Sequence, residues 1–159
     1  GIAALTVHGR TRSCKFAGQA EYDTIRQVKQ AVSIPVIANG DIDSVAKAEY
    51  VLKVTGTDAI MVGRAAQGNP WLFKQILEFN SAGKIPQKPT ATEIFLILLS
   101  HIEKLYSFYG DVTGVRIARK HISWYLKNLD FINQEFRNTI NQATQPTQQV
   151  ALIQAAFTS

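Results

Sequence analysis

Apolar positions in the first 80 residues fall into three short runs separated by helical stripes. Ala3, Ala4, Leu5, Thr6, Val7 and His8 form the first run, residues 34–38 the second, and residues 58–63, through Ala59, Ile60, Met61 and Val62, the third. Runs this short and continuously apolar predict parallel strands covered on both faces. Pro35 stands near the start of the second, where a missing N–H is tolerated. Between the runs, Tyr22, Ile25, Val28 and Val32 recur at helical spacing, as do Val45, Ala48 and Leu52. Asp43 or Ser44 is placed to cap the second helix and Gly56 to end it.

Alternation of strand and helix predicts βαβ units. Each run closes in a polar, glycine-bearing string: Val7-His8-Gly9-Arg10-Thr11-Arg12, Ile37-Ala38-Asn39-Gly40-Asp41 and Met61-Val62-Gly63-Arg64-Ala65. Asn39 and Gly63 are 24 positions apart (63 − 39). That is about one unit of a (β/α)8 barrel, whose roughly 250 residues divide among eight. Three units cannot close a barrel, and would leave two unpaired edges and an open interior. The expectation is an α/β fold in which residues 1–80 are the last three βα units of a TIM barrel. The missing methionine and the start inside a strand are read as truncation.

Residues 81–90, with one glycine and two prolines, read as a linker. Beyond it strand signals stop. Ile94, Leu98, Ile102, Leu105 and Tyr109 make one helical stripe, and a second helix runs from about Val115 to Lys127 with Ala118, Ile122, Tyr125 and Leu126 inward. Phe131, Phe136 and Ile140 mark a third helix, and Val150, Ile153 and Phe157 a fourth. Residues 91–159 are therefore expected to be an all-α helical bundle. Exposed sheet in the first part makes it the less stable of the two, which hydrogen exchange would register.

Composition changes this picture little. Apolar residues at 46% and charged ones at 18% fit a globular protein. The net charge of +5 permits an anionic partner without requiring one. The lone Cys14 excludes a disulfide framework or a cysteine-rich zinc site, so no metal is expected and a reducing cytoplasm is the natural setting. No apolar run is long enough to cross a membrane.

Ligands of such barrels bind at the carboxyl ends of strands, and phosphate often sits on the last two loops. Asn39, Gly40 and Asp41 with Gly63 and Arg64 have that placement. Glycine lets backbone N–H groups approach an anion, and Arg64 adds charge. Tight turns alone would also explain the glycines, but two such motifs in successive units favour the ligand. His8 can bond a ligand carbonyl, move a proton, or simply bond nearby backbone. Arg10, Thr11, Arg12 and Lys15 either hold an anionic substrate or form a solvated loop. Arg116, Arg119, Lys120, Trp124 and Lys127 share one helix side, as a nucleic-acid surface or an ordinary solvated face. Cys14 lies near cations that lower a thiol pKa, yet a lone loop cysteine is incidental.

Residues 8–12, Phe16-Ala17-Gly18-Gln19-Ala20, residues 34–42 and residues 61–71 together resemble the tRNA-dihydrouridine synthases, as do Arg116-Ile117-Ala118-Arg119-Lys120-His121 and Trp124-Tyr125. The combination is most similar to the bacterial B-type members. The resemblance implies an FMN enzyme, reduced by NADPH, that passes hydride to a flipped-out D-loop uridine of tRNA. It implies FMN-phosphate contacts at Asn39, Gly40, Asp41, Gly63 and Arg64, and a flavin-ring contact at His8. Arg10 and Thr11 would lie near the substrate path, and Arg116, Arg119 and Lys120 would face tRNA. The family's catalytic cysteine lies in the barrel's first half; Cys14 does not match it. No catalytic residue is therefore expected in this chain, which alone should be inactive and bind FMN weakly or not at all. A monomer is expected at full length. Another phosphate-binding barrel enzyme, or a non-enzymatic RNA-binding fragment, are the alternatives.

Overall fold

Three strands, β1 (Leu5–His8), β2 (Val36–Asn39) and β3 (Ala59–Met61), run parallel in that order in the computed structural model, which describes residues 1–11, 13, 18–127, 129 and 133–158. Between and after them come α1 (Asp23–Ala31), α2 (Val45–Thr55) and α3 (Trp71–Ala82), the last preceded by a short 3-10 turn at Arg64–Ala66. Register pairs Leu5 with Val36, Val7 with Ala38, and Ala38 with Ile60, so these side chains share one face. Ile25 of α1, Val45, Ala48 and Val51 of α2, and Leu72 and Ile76 of α3 pack with Ala38, Val7 and Ile60.

The opposite face carries Thr6, His8, Ile37, Asn39, Ala59 and Met61, of which Thr6, His8, Ala59 and Met61 are exposed. The expectation of cover on both faces is thus corrected. All three helices join one core on one side of the sheet, and the apolar runs overstated burial because alternate residues face the open side. Strands in chain order with helices on a single face match a barrel wall; a doubly wound sheet carries helices on both faces.

Local chemistry sets the helix ends. Ser44, rather than Asp43, caps α2: its Oγ accepts the Lys47 N–H at 3.2 Å. Gly56 ends the helix by donating its N–H to the Leu52 carbonyl at 2.9 Å. Tyr22 and Val32, read from periodicity as helical, are the flanking positions of α1.

The chain divides into two compact units, residues 1–66 with 70–86, and residues 67–69 with 87–159. The second contains α4 (Ala91–Leu126), α5 (Gln134–Gln142) and α6 (Pro146–Thr158). Thr90 and Glu93 open α4 with a reciprocal cap: Thr90 Oγ1 accepts the Glu93 N–H at 3.2 Å, and Glu93 Oε2 accepts the Thr90 N–H at 2.7 Å. Helical geometry fails at Gly110, where φ is 75° and ψ 168°.

The two arms of α4 then run back along each other. The His101 and His121 rings lie 4.7 Å apart, and His101 Nδ1 is 3.3 Å from the Tyr125 hydroxyl. In a straight helix these pairs would be about 30 and 36 Å apart. The two separate stripes in the sequence are these arms. A Cβ on Gly114 would come within 2.9 Å of Leu105 O and Tyr106 Cα. Gln149 of α6, fully buried, accepts the Tyr106 hydroxyl at 2.8 Å and donates to the Val115 carbonyl at 3.2 Å, so it ties both arms together. Burial pushes the Tyr106 phenol up to about 12. The third helix begins after its expected start: Phe136 and Ile140 lie in α5, while Phe131 is outside the described residues.

Candidate functional site

Parallel register brings His8 beside Asn39, and Asn39 beside Met61, at one end of the open sheet face. Asn39 ties these ends together. Its side-chain Nδ2 donates to the Met61 carbonyl at 2.7 Å, and its own carbonyl accepts the Gly9 N–H at 2.9 Å. His8 Nδ1 also lies 3.2 Å from the Asn39 carbonyl. A carbonyl cannot donate, so this contact assigns the proton to Nδ1. Neutral His8 then presents Nε2 as an acceptor, and donates from it only as imidazolium.

The turn after β2 needs its glycine. Gly40 has φ of 132°, and a Cβ there would lie 2.8 Å from Ala20 Cβ. Asp41 follows in the left-handed region at φ 48°, unusual for a residue with a side chain. Its carboxylate is the hub of the loops. Arg10 donates to both oxygens at 2.7 and 2.5 Å, and the Ala20 N–H donates to Oδ2 at 2.8 Å. Arg64 reaches Oδ1 at 3.4 Å. The Arg10 guanidinium, followed by the Ala20 N–H, holds the Asp41 carboxyl below its usual range despite partial burial.

His8, Asn39, Gly40, Asp41, Gly63 and Arg64 all line one open cleft of about 480 Å³, with Ile42, Asp43 and Ala65. The six residues expected to contact the cofactor are therefore neighbours in space. Gly63 differs from Gly40. Its φ is unexceptional, and a Cβ placed on it would meet nothing within 4 Å. Folding of this chain does not demand glycine there, whereas close approach by a ligand does.

Other expected positions fall elsewhere. Arg10 is spent on Asp41 and on the Gly18 carbonyl at 2.6 Å, with its side chain only 5% exposed. That corrects its reading as a substrate-facing cation. Thr11 Oγ1 lies 2.8 Å from Ser13 Oγ, and neither Arg10 nor Thr11 is among the described cleft-lining residues. Arg12, Cys14 and Lys15 are outside the described residues.

On the second arm of α4, Arg116 and Lys120 are exposed one turn apart, and Lys120 Nζ sits 5.0 Å from the centroid of the Trp124 ring. Arg119 does not join them. Its guanidinium donates to the Ala143 carbonyl at 2.8 Å, and its Nε is buried without an acceptor among the described residues. The basic face predicted from helical spacing is reduced accordingly, because the α5–α6 connection offers a carbonyl on that side. The nearby histidines His101 and His121 are held below their ordinary pKa, first by burial and then by neighbouring positive charge.

Among the described residues, no group of His, Cys, Asp and Glu side chains is arranged to hold a metal. No helix there is long and apolar enough to cross a membrane. Sequence reasoning missed Ile42, Asp43 and Ala65 in the cleft lining, and also Tyr22, outside that lining, whose hydroxyl donates to the Gly40 carbonyl at 2.8 Å. Periodicity registered only the apolar ring of Tyr22.

Residues 1–159 match a protein-family model described as Dihydrouridine synthase (Dus). The chain is 52% identical over 158 residues to the tRNA-dihydrouridine synthase B of Escherichia coli (strain K12), covering 99% of this chain and 49% of that protein. Against the proteins of the same name from Pectobacterium carotovorum and Serratia marcescens, identity is 51% and 50% over 157 residues, covering 49% and 47% of their lengths. The chain spans about half the length of the curated relatives it matches.

Proposed function

The chain belongs to the dihydrouridine synthase family, and we propose on that premise that its cleft holds the phosphate end of FMN in an enzyme that reduces a D-loop uridine of tRNA to 5,6-dihydrouridine, with NADPH as reductant. Residues up to Ala82, where α3 ends, are then the last three βα units of a TIM barrel, so the linker expected over 81–90 starts two residues later, and 91–159 are a helical domain that faces tRNA in the cytoplasm. The observation that carries this reading is the convergence of Asn39, Gly40, Asp41, Gly63 and Arg64, from successive strand ends, on one cleft.

The cleft fits an anion. Asp41 would repel phosphate by itself, but Arg10 and Arg64 balance its charge. Arg64, 59% exposed, stands at the rim. Gly63 leaves room at its Cα where any side chain would intrude. Bound FMN supplies hydride transfer. The residues of this chain hold its phosphate and, through His8, meet its ring system. None is assigned as catalytic. Arg10 enters as a brace of the β1 and β2 loops.

Gly63→Ala tests the cleft. It should change unfolding free energy by no more than about 0.5 kcal/mol, because nothing meets the added methyl. It should weaken the response of the cleft amides to inorganic phosphate at least about tenfold, read by NMR titration. A variant that responds like the wild type, or a wild type that does not respond, contradicts the proposal.

Contact with tRNA falls to Arg116 and Lys120, the exposed pair beside Trp124. Replacing both with Ala should reduce the log–log salt slope of tRNA binding by roughly 0.7–0.9 for each phosphate that is no longer neutralised. An unchanged slope removes these residues from the interface. Arg119→Ala is expected to act on stability, since its guanidinium works within the helical unit.

A further inference from the structure

We propose that Tyr22 is a positioning residue for anion binding: by holding the Gly40 carbonyl, it turns the Gly40–Asp41 peptide so that the Asp41 N–H serves the cleft. The inference rests on the phosphate reading above and assigns it a donor. Tyr22 is not among the described cleft-lining residues. It lines a separate groove with Glu21, Asp23, Arg26, Tyr50 and Val54, which shares no described lining residue with the cleft. Its ring is fixed there, 6.1 Å from the Tyr50 ring and 5.0 Å from Lys47 Nζ.

From that position its hydroxyl donates to Gly40 O at 2.8 Å. The chain contains no cis peptide among the described residues. In a trans peptide the carbonyl and the following N–H point in opposite directions. Fixing the Gly40 carbonyl toward Tyr22 therefore aims the Asp41 N–H away from it, and both Gly40 and Asp41 border the cleft. Among the described residues, no acceptor meets that N–H.

The alternative orientation is close at hand. Rotating this peptide by half a turn changes ψ of Gly40, which a glycine tolerates, and moves φ of Asp41 from 48° to about −132°, the negative side that residues with a side chain prefer. Backbone preference at Asp41 thus favours a carbonyl pointing into the cleft, which would repel an anion. The Tyr22 hydroxyl opposes that flip. The carboxylate bonds to Arg10 and Ala20 fix the side chain of Asp41 and leave the peptide to Tyr22.

Tyr22→Phe removes the hydroxyl and keeps the ring. The test is a titration of both proteins with inorganic phosphate, followed by the backbone amide signals of Asp41, Gly63 and Arg64. In the wild type all three should shift together and saturate. In the variant the Asp41 signal should lose its response, and the phosphate affinity read at Gly63 and Arg64 should fall about fivefold, in line with removal of one hydrogen bond. The melting temperature should stay within about 2 °C, whereas a merely structural role would lower it and leave the relative responses intact. Equal responses in the two proteins overturn the proposal alone. So does a wild type in which Gly63 and Arg64 respond and Asp41 is silent, a result that decides the matter even if the variant folds poorly. Silence at all three amides in the wild type overturns the phosphate reading and this proposal with it.

Discussion

Asp41→Ala is expected to destabilise the unit of residues 1–66 and 70–86 by about 3 kcal/mol, measured by urea unfolding. Removing one partner of a buried ion pair costs about 3–5 kcal/mol because the other charge is left without compensation. Arg10 is 5% exposed and Asp41 26%, so the lower end applies. Three donors from two loops lose their shared acceptor at once: Arg10, the Ala20 N–H and Arg64 all converge on this carboxylate. Acid should imitate the substitution. The folded pKa of Asp41 lies below the reference value of 3.8, so the folded state favours the ionised form. That contribution is fully present above the unfolded pKa and is lost as pH falls through the lower folded value. The wild type should therefore lose stability below about pH 4 more steeply than Asp41→Ala. Equal acid limbs would remove Asp41 as the hub.

Gly114→Ala should cost the helical unit about 2–3 kcal/mol, although residue propensity points the other way. Alanine is favoured over glycine in a helix interior by about 1 kcal/mol. At this position the added Cβ would lie 2.9 Å from Leu105 O and Tyr106 Cα, in the backbone of the facing arm. Backbone atoms cannot rotate aside, so the arms must separate, and overpacking of this kind costs about 1–3 kcal/mol or more. Separation would also stretch the Gln149 bridge to Tyr106 and Val115. A stabilised Gly114→Ala protein would show that the arms are not in contact.

Strand-end motifs were legible because parallel strands carry function at one end. Neighbouring parallel runs over residues 3–8, 34–38 and 58–63 put the strings that close them, with Gly40 and Gly63, at the same end of the sheet. Helix ends were equally plain where Ser44 and Gly56 act through their own backbone geometry. The partners of long polar side chains were not legible. Arg10 and Arg119 look like surface cations by spacing, yet Arg10 meets Asp41, 31 positions away, and Arg119 meets a carbonyl 24 positions away. Periodicity places a Cβ on a face but says nothing of where a guanidinium ends. Tyr22 escaped for a related reason, since its ring satisfied the apolar pattern while its hydroxyl reached the turn after β2. Burial on one side of the sheet was hidden because Thr6, Ala59 and Met61 do not interrupt an apolar run strongly.

The most direct test is a crystal structure of this chain soaked with FMN at millimolar concentration, sufficient for weak binding. Phosphate density is expected within hydrogen-bonding distance of the Gly63–Arg64 backbone and the Arg64 guanidinium, on the side of the turn opposite Tyr22. Phosphate bound elsewhere on the chain, with the cleft between Gly40 and Gly63 left to solvent, would contradict it.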